Sequence, residues 1–248
     1  VGTFAGRNDP LGAAPVPARY VDVTARVSQL VDLGVNAVML NPVTEFPGDF
    51  SAGYNPQTMW APEWKYGTPD ELRQMVDVLH RNGIAVLLDI VWNHFDFSDN
   101  FLWFYDGTQI YFDDPAVETP WGAQADFDRA AVRDYFLHSA AHWLEEYRID
   151  GFRMDATTAM TIQTGGWSLM QELNDLVDNR YAGRVVVAEH LPDAEFTVFT
   201  FREVSWEPPF FNAIHTWAEN HGAEFFETRR LDDPECISFW QDRDIDLL

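Results

Sequence analysis

One segment restricts the fold more than any other: residues 84–91 are apolar except for Asp89. A strand without polar alternation is buried on both faces, as in a parallel sheet that helices cover on each side. Parallel strands cannot be joined by tight turns and need crossover connections, which are usually helices. The segment therefore predicts an α/β fold in which strands and helices alternate.

The apolar pattern of the rest of the chain follows this alternation. Short apolar runs predict a buried strand at residues 37–40 and further strands at 149–155 and 184–189. Residues 68–71 form a capping box with proline at the first helical position. Apolar residues at helical spacing mark four helices: Val23, Val27, Leu30 and Val31; Leu72, Met75, Val76 and Leu79; Val132, Tyr135, Phe136, Ser139, Trp143, Leu144 and Tyr147; and Leu169, Met170, Leu173, Leu176 and Val177.

Length and loop placement favour a barrel. The 248 residues approach the typical size of one (β/α)8 TIM barrel. We expect a single catalytic barrel domain over residues 1–248, incomplete or diverged in its C-terminal third, where the pattern weakens after Glu189. Two long aromatic segments, 45–66 and 95–128, follow strand ends, where barrel enzymes build their sites. The aromatics of residues 95–128 either stack on sugar rings or form the core of a small subdomain.

The net charge excludes several classes of partner, and the cysteine count excludes disulfides and cysteine-based metal clusters. A net charge of −24, with Lys65 as the only lysine, repels nucleic acid and anionic membranes and favours a neutral substrate. Cys236 is the only cysteine, so an internal disulfide and a cysteine-based metal cluster are excluded. No apolar run of about 18 residues and no secretory signal is visible, and we expect a cytoplasmic protein.

Three residues at strand ends carry the chemistry that we predict. Arg153 and Asp155 are two apart in a strand and share a face, so the Arg153 cation should hold Asp155 ionised. Glu189 closes the next strand among apolar neighbours, surroundings that suit a general acid. Taken singly, each residue is as well explained by a structural ion pair. Together they form the equipment for retaining glycoside chemistry, with the carboxyl groups about 5–5.5 Å apart.

Three further residues are candidates for binding. Asp89 lies inside its strand and should organise charged neighbours, while His94 falls just past the strand end and can reach a ligand. Tyr54, held between Gly53 and Asn55-Pro56, can present its ring face to a sugar or anchor its loop.

In combination these segments resemble the α-amylase superfamily of glycoside hydrolases, within its branching-enzyme-like and trehalohydrolase-like branches. The match covers about residues 1–195, and residues 1–4 are similar to the end of the first barrel strand. The segments that carry it are 33–38 with 41–43, 45–48, 53–56, 66–69, 88–95, 143–156 and 187–189. The resemblance implies Asp155 as nucleophile and Glu189 as general acid/base. It implies that Arg153, Asp89 and His94 bind the sugar and that Tyr54 stacks on it.

The sequence departs from this family after Glu189. The family's fourth region carries a His-Asp pair whose Asp stabilises the transition state, and no such pair follows Glu189. Asp244, with Arg243 in place of the histidine, is a candidate for the third carboxylate, and Asp242 is the alternative candidate. His190 stands where close relatives often have a second acid. This departure leaves full activity of the chain open.

We expect a retaining enzyme that acts on an α-glucan such as glycogen, starch or maltooligosaccharide, without a cofactor and without a predicted metal. Branching, which transfers a glucan to a 6-hydroxyl, is the leading interpretation because residues 45–48 and 143–150 are most similar to that branch. Hydrolysis of amylase or trehalohydrolase type is the first alternative. A non-catalytic glucan-binding domain is the second, since the fourth region is missing.

Overall fold

The computed structural model describes residues 1–4, 16–105 and 107–190. The helices are α1 (Tyr20–Thr24), α2 (Val27–Asp32), α3 (Pro69–Arg81), α4 (Ala130–Glu146), α5 (Thr157–Met160) and α6 (Thr164–Arg180). The strands are β1 (Ala37–Leu40), β2 (Ala85–Ile90), β3 (Val117–Thr119), β4 (Gly122–Gln124), β5 (Gly151–Met154) and β6 (Val185–Ala188). Within these ranges, no helix has both the length and the apolar character needed to cross a membrane.

Four strands form a parallel sheet in the order β1-β2-β5-β6. The crossovers run through α3, α4 and α6, which confirms the predicted α/β alternation. Leu88, Phe152 and Val186 lie side by side in register on three neighbouring strands, and none is exposed. The parallel sheet and its helices therefore share one apolar core.

The predicted start of α3 is confirmed. The Thr68 hydroxyl accepts a hydrogen bond from the Glu71 N–H at 3.2 Å, and the Glu71 carboxylate accepts one from the Thr68 N–H at 2.7 Å. This reciprocal pair satisfies donors that a helix otherwise leaves unpaired at its first turn.

Three sequence expectations near the N-terminus are wrong. Residues 1–4 form a turn, closed by a hydrogen bond from the Phe4 N–H to the Val1 carbonyl, and not the end of a strand. The single helix expected over residues 23–31 is divided into α1 and α2. The strand β1 is present, but Met39 is 44% exposed because β1 lies at an edge of the four-stranded sheet. The apolar pattern alone does not distinguish an edge strand from a central one.

The aromatics of the long segment 95–128 are divided between the core and the surface. Phe95, Phe112 and Phe127 are buried and pack with each other or against Phe136 of α4, so part of the segment extends the core. The strands β3 and β4 form an antiparallel hairpin in its second half. Trp121 at the tip of this hairpin is 50% exposed and remains available to a ligand.

The contact between β5 and β6 requires glycine at position 151. A Cβ atom there would lie 2.3 Å from the Val185 carbonyl oxygen, which is backbone and cannot move away cheaply. We expect Gly151→Ala to lower the free energy of unfolding by about 3 kcal/mol, measured by urea titration. Gly183→Ala is the control, since its Cβ meets open space and only its positive φ of 83° opposes alanine, at about 1 kcal/mol. Equal losses in the two variants would contradict the packing argument.

Candidate active site

The strand register brings four charged side chains to one end of the sheet. Asp89 on β2 is the register partner of Arg153 on β5, and Arg153 is the partner of Val187 on β6. Hydrogen bonds from the Asp155 N–H to the Ile90 carbonyl and from the Glu189 N–H to the Met154 carbonyl continue the ladder past the strand ends. Because side chains alternate along a strand, Arg153, Asp155 and Glu189 lie on the same face as Asp89.

The Arg153 guanidinium is the centre of this cluster. Its Nη1 donates to both Asp89 carboxylate oxygens, at 2.8 and 2.6 Å, and to Asp155 Oδ1 at 2.8 Å. Its Nη2 lies 2.8 Å from Glu189 Oε2. The Arg153 side chain is only 10% exposed. One buried cation therefore holds three carboxylates from three neighbouring strands.

Burial and pairing compete within the cluster. Burial opposes the charge on Arg153, but its contacts with Asp89, Glu189 and Asp155 outweigh burial and raise the pKa of Arg153. Burial raises the pKa of Asp89 to about 6, although the contacts with Arg153 and Tyr54 act in the opposite direction. At neutral pH both Asp89 and Arg153 are therefore charged. As the pH is lowered, Asp89 is the one of the two that changes its charge, by taking up a proton.

Tyr54 lies in the loop after β1 and contacts the charged cluster around Arg153. Its hydroxyl donates to Asp89 Oδ2 at 2.7 Å, and its ring lies 5.9 Å from the Arg153 guanidinium carbon. Burial, together with the bond to Asp89, raises the pKa of Tyr54, so the phenol remains a donor. The tyrosine thus anchors its loop on Asp89, and its stacking on a sugar stays a prediction.

His94 is placed by two neighbours. Its Nε2 donates to the Tyr54 carbonyl oxygen at 3.1 Å, and its other ring nitrogen contacts the Asn93 side chain. Burial lowers the pKa of His94, and the Tyr54 carbonyl and Asp155 only partly offset that effect. The Trp121 ring lies 5.7 Å from the His94 ring.

The two candidate catalytic carboxyls have different surroundings. Asp155 accepts a hydrogen bond from Asn93 Nδ2 at 3.0 Å in addition to the bond from Arg153, and its side chain is 14% exposed. Glu189 is 28% exposed, and its Oε2 also accepts the Ala156 N–H at 2.9 Å. We expected apolar surroundings for Glu189, and this expectation is wrong. The Arg153 guanidinium and the Ala156 N–H, both at the end of β5, donate to its carboxylate. Ala156 reaches Glu189 from a left-handed conformation with φ of 42°.

These groups open onto a cleft of about 550 Å³. All the predicted site residues except the buried Asp89 line it, and Asp89 lies directly behind Arg153. The lining residues are Tyr54, His94, Trp121, Arg153, Asp155, Ala156, Thr158 and Glu189. Sequence reasoning did not assign Trp121, Ala156 or Thr158 to this cleft, and it gave Asn93 no part in holding Asp155. The exposed loop aromatics were the only signal that pointed to Trp121.

Some expectations fall outside the described ranges. Asp242, Asp244 and Cys236 lie in the segment after His190 that the structure does not describe. Among residues 1–4, 16–105 and 107–190, no three acidic, histidine or cysteine side chains are grouped as a metal site.

Comparison with known proteins gives consistent matches. A family model described as the catalytic domain of alpha amylase matches residues 21–116. The 1,4-alpha-glucan branching enzyme GlgB of Picrophilus torridus is 37% identical over 186 residues, covering 66% of this chain and 26% of that protein. The malto-oligosyltrehalose trehalohydrolase of Saccharolobus solfataricus is 29% identical over 215 residues, covering 84% and 37% of the two chains.

A solved structure is similar over most of the described sheet and helices. A protein from Salmonella typhimurium with a provisional alpha-amylase assignment superposes with a TM-score of 0.69 at 28% identity. The superposition covers 88% of this chain and 38% of that one. The chain thus spans roughly a quarter to two fifths of the length of the proteins that it matches.

Proposed function

This chain belongs to the α-amylase superfamily of glycoside hydrolases, and on that premise we propose that it acts on α-glucans by a retaining mechanism. Asp155 is the nucleophile and Glu189 the general acid/base. The sheet β1-β2-β5-β6 is part of a (β/α)8 barrel whose cleft lies at the carboxyl ends of the strands. The neutral glucan suits a protein with a net charge of −24.

One observation carries the proposal: a single guanidinium contacts both Asp155 and Glu189 at the wall of an open cleft. Retaining glycosidases need two carboxyls on opposite sides of one glycosidic bond, close enough for a covalent intermediate. Both carboxyls have two donors, Arg153 with Asn93 for Asp155 and Arg153 with the Ala156 N–H for Glu189, but Asp155 is the more buried of the two. Glu189 is twice as exposed, so it can exchange its proton with solvent or acceptor.

The two steps follow from these positions. Glu189 gives its proton to the glycosidic oxygen, while an Asp155 oxygen bonds to the anomeric carbon as the bond to the leaving chain breaks. An acceptor hydroxyl then attacks the same carbon, its proton passes to Glu189, and the Asp155 ester is released. With a glucan 6-hydroxyl as acceptor the product is an α-1,6 branch, and with water the product is a shortened chain.

Branching is the favoured outcome because the segments 45–48 and 143–150 are similar to the branching group, and the branching enzyme GlgB of Picrophilus torridus is 37% identical to the matched part of the chain. Hydrolysis is the alternative, in line with the trehalohydrolase similarity. Amylose incubated with the chain should lose iodine staining and gain α-1,6 links by linkage analysis. Rising reducing ends without new α-1,6 links would replace branching by hydrolysis.

A non-catalytic glucan-binding domain is the second candidate function. It is favoured by one observation, the lack of a His-Asp pair after Glu189. Under this alternative, the chain should be retarded in a glycogen-containing gel but should neither cleave α-glucan nor transfer a glucan segment. Activity above that of an Asp155→Asn, Glu189→Gln double variant would exclude it.

A further inference from the structure

A second cleft of about 570 Å³ lies beside the one that holds the catalytic carboxyls. We call it the outer cleft and define it by Asp96, Phe97, Asp99, Phe101, Phe104 and Glu118. None of these residues takes part in the mechanism proposed above, and sequence reasoning gave them no individual role.

The outer cleft presents three phenylalanine rings to solvent. Phe97 is 86% exposed, Phe104 61% and Phe101 51%. A single exposed ring is ordinary on a protein surface, but several in one concave patch are typical of a binding site. The rings remain exposed although the same segment buries Phe95 and Phe112 completely, so its aromatics are divided between core and surface.

Acidic oxygens accompany the rings. Asp96 is only 6% exposed, and its Oδ1 accepts hydrogen bonds from the Ser98 N–H, the Ser98 hydroxyl and the Asp99 N–H. Burial favours the neutral form of Asp96, but these donors outweigh burial and lower the pKa of Asp96. Asp99 and Glu118 are exposed carboxylates. The lining thus combines apolar ring faces with acceptors, and it has no cation that would attract a phosphate.

This combination matches a neutral sugar chain. A pyranose has apolar C–H faces that pack on an aromatic ring and a rim of hydroxyls that donate to carboxylates. Nucleic acid and anionic lipid have the wrong charge for this lining.

The outer cleft and the catalytic cleft are built from shared structural elements. Glu118 and Ala123 of the β3–β4 hairpin line the outer cleft, whereas Trp121 at the tip of the same hairpin lines the catalytic cleft. The chain also passes from His94 in one cleft to Asp96 in the other within two residues. The backbone at Phe95 and Phe97 packs closely on Gly122 and fixes the hairpin between them.

We propose that the outer cleft binds a second segment of α-glucan while the catalytic cleft holds the segment to be cleaved. This inference rests on the proposed function, since the ligand is the same polymer. The rings of Phe97 and Phe104 stack on sugar units, and the exposed carboxylates of Asp99 and Glu118 accept hydrogen bonds from hydroxyls, while Asp96 holds the loop through Ser98 and Asp99. The hairpin β3–β4 stands between the two bound segments.

The test compares retardation of the full chain in glycogen-containing native gels, with maltoheptaose titration as a second measurement. Phe97→Ala combined with Phe104→Ala should weaken apparent glycogen affinity about tenfold, because both rings lose contact area with the sugar. Val31→Ala combined with Leu33→Ala is the matched control, since it removes two exposed apolar side chains outside the outer cleft (43% and 78% exposed). The control should bind as the parent chain does.

The possible results separate this inference from the proposed function. If the parent and the Phe97, Phe104 variant bind glycogen equally, the outer cleft is not a glucan site, while the proposed function stands. If the parent neither binds nor converts any α-glucan, the proposed function itself fails. Both rings are largely exposed, so melting temperatures should be unchanged. Should the double variant unfold, Phe97→Ala alone decides, and binding equal to that of the parent would overturn the inference.

Discussion

Replacing Asp155 by asparagine should lower turnover of amylose by at least about 10³-fold while leaving glycogen binding nearly unchanged. Asparagine has the same size as aspartate, and its side-chain oxygen can still accept the hydrogen bond from Asn93. Its amide cannot form the glycosyl ester. Glu189→Gln should lower turnover of amylose by a similar factor, because the leaving glucan chain needs a proton that glutamine cannot supply. Turnover is measured by iodine staining, and binding by retardation in glycogen gels.

Asp134→Asn is the matched control for this prediction. Asp134 is an exposed carboxylate on α4, so its neutralisation changes the net charge equally without touching the cleft. The assignment of Asp155 as nucleophile would be rejected if the Asp155 and Asp134 variants turned over amylose at the same rate.

The second large effect is expected from Arg153→Ala. Removing this cation leaves Asp89 buried without a positive partner and places three carboxylates next to one another. Loss of one partner of a buried ion pair typically costs about 3–5 kcal/mol of stability. We expect a loss in this range from urea unfolding at neutral pH, together with loss of turnover because Asp155 and Glu189 are no longer positioned.

The stability loss of Arg153→Ala should depend on pH in a defined direction. Burial already raises the pKa of Asp89 to about 6 in the parent, and removal of Arg153 takes away the main effect that opposes burial. A carboxyl with a raised folded-state pKa binds its proton more tightly in the folded state, so acid favours folding. Because removal of Arg153 raises the pKa of Asp89 further, the deficit of the variant should be largest at neutral to alkaline pH and shrink as the pH falls towards about 6. Below that pH the deficit should stay constant, since Asp89 is protonated in both proteins.

A double variant identifies the responsible carboxylate. Adding Asp89→Asn to Arg153→Ala removes the unpaired buried charge and should recover part of the lost stability at neutral pH. If the double variant is no more stable than Arg153→Ala, or if the deficit does not change with pH, the buried charge on Asp89 is not the cause.

Much of the site is predictable because its residues are close in sequence. The period-two alternation of a strand places Arg153 and Asp155 on one face, and their 2.8 Å contact agrees with it. The apolar runs predict β2, β5 and β6, and parallel pairing then brings their carboxyl ends to one edge. The capping box at Thr68 and Glu71 likewise depends on residues three apart.

Contacts between distant segments follow no such local period. The Tyr54 hydroxyl meets Asp89 across 35 positions, and the Asn93 amide holds Asp155 across 62. The polar donors around Glu189 arise from the left-handed turn at Ala156, which the apolar pattern of β6 does not contain. The exposure of Met39 follows from the place of β1 at the sheet edge.

Local sequence patterns were sufficient to predict the α/β alternation and the strands that position Asp89, Arg153, Asp155 and Glu189. Those patterns do not contain two features of the folded protein: the contact of one Arg153 guanidinium with all three carboxylates, and the division of the aromatics of residues 95–128 between a core and two clefts. The reason is that secondary structure follows short-range periodicity, whereas loop packing and charge pairing depend on which distant segments the folded sheet brings together.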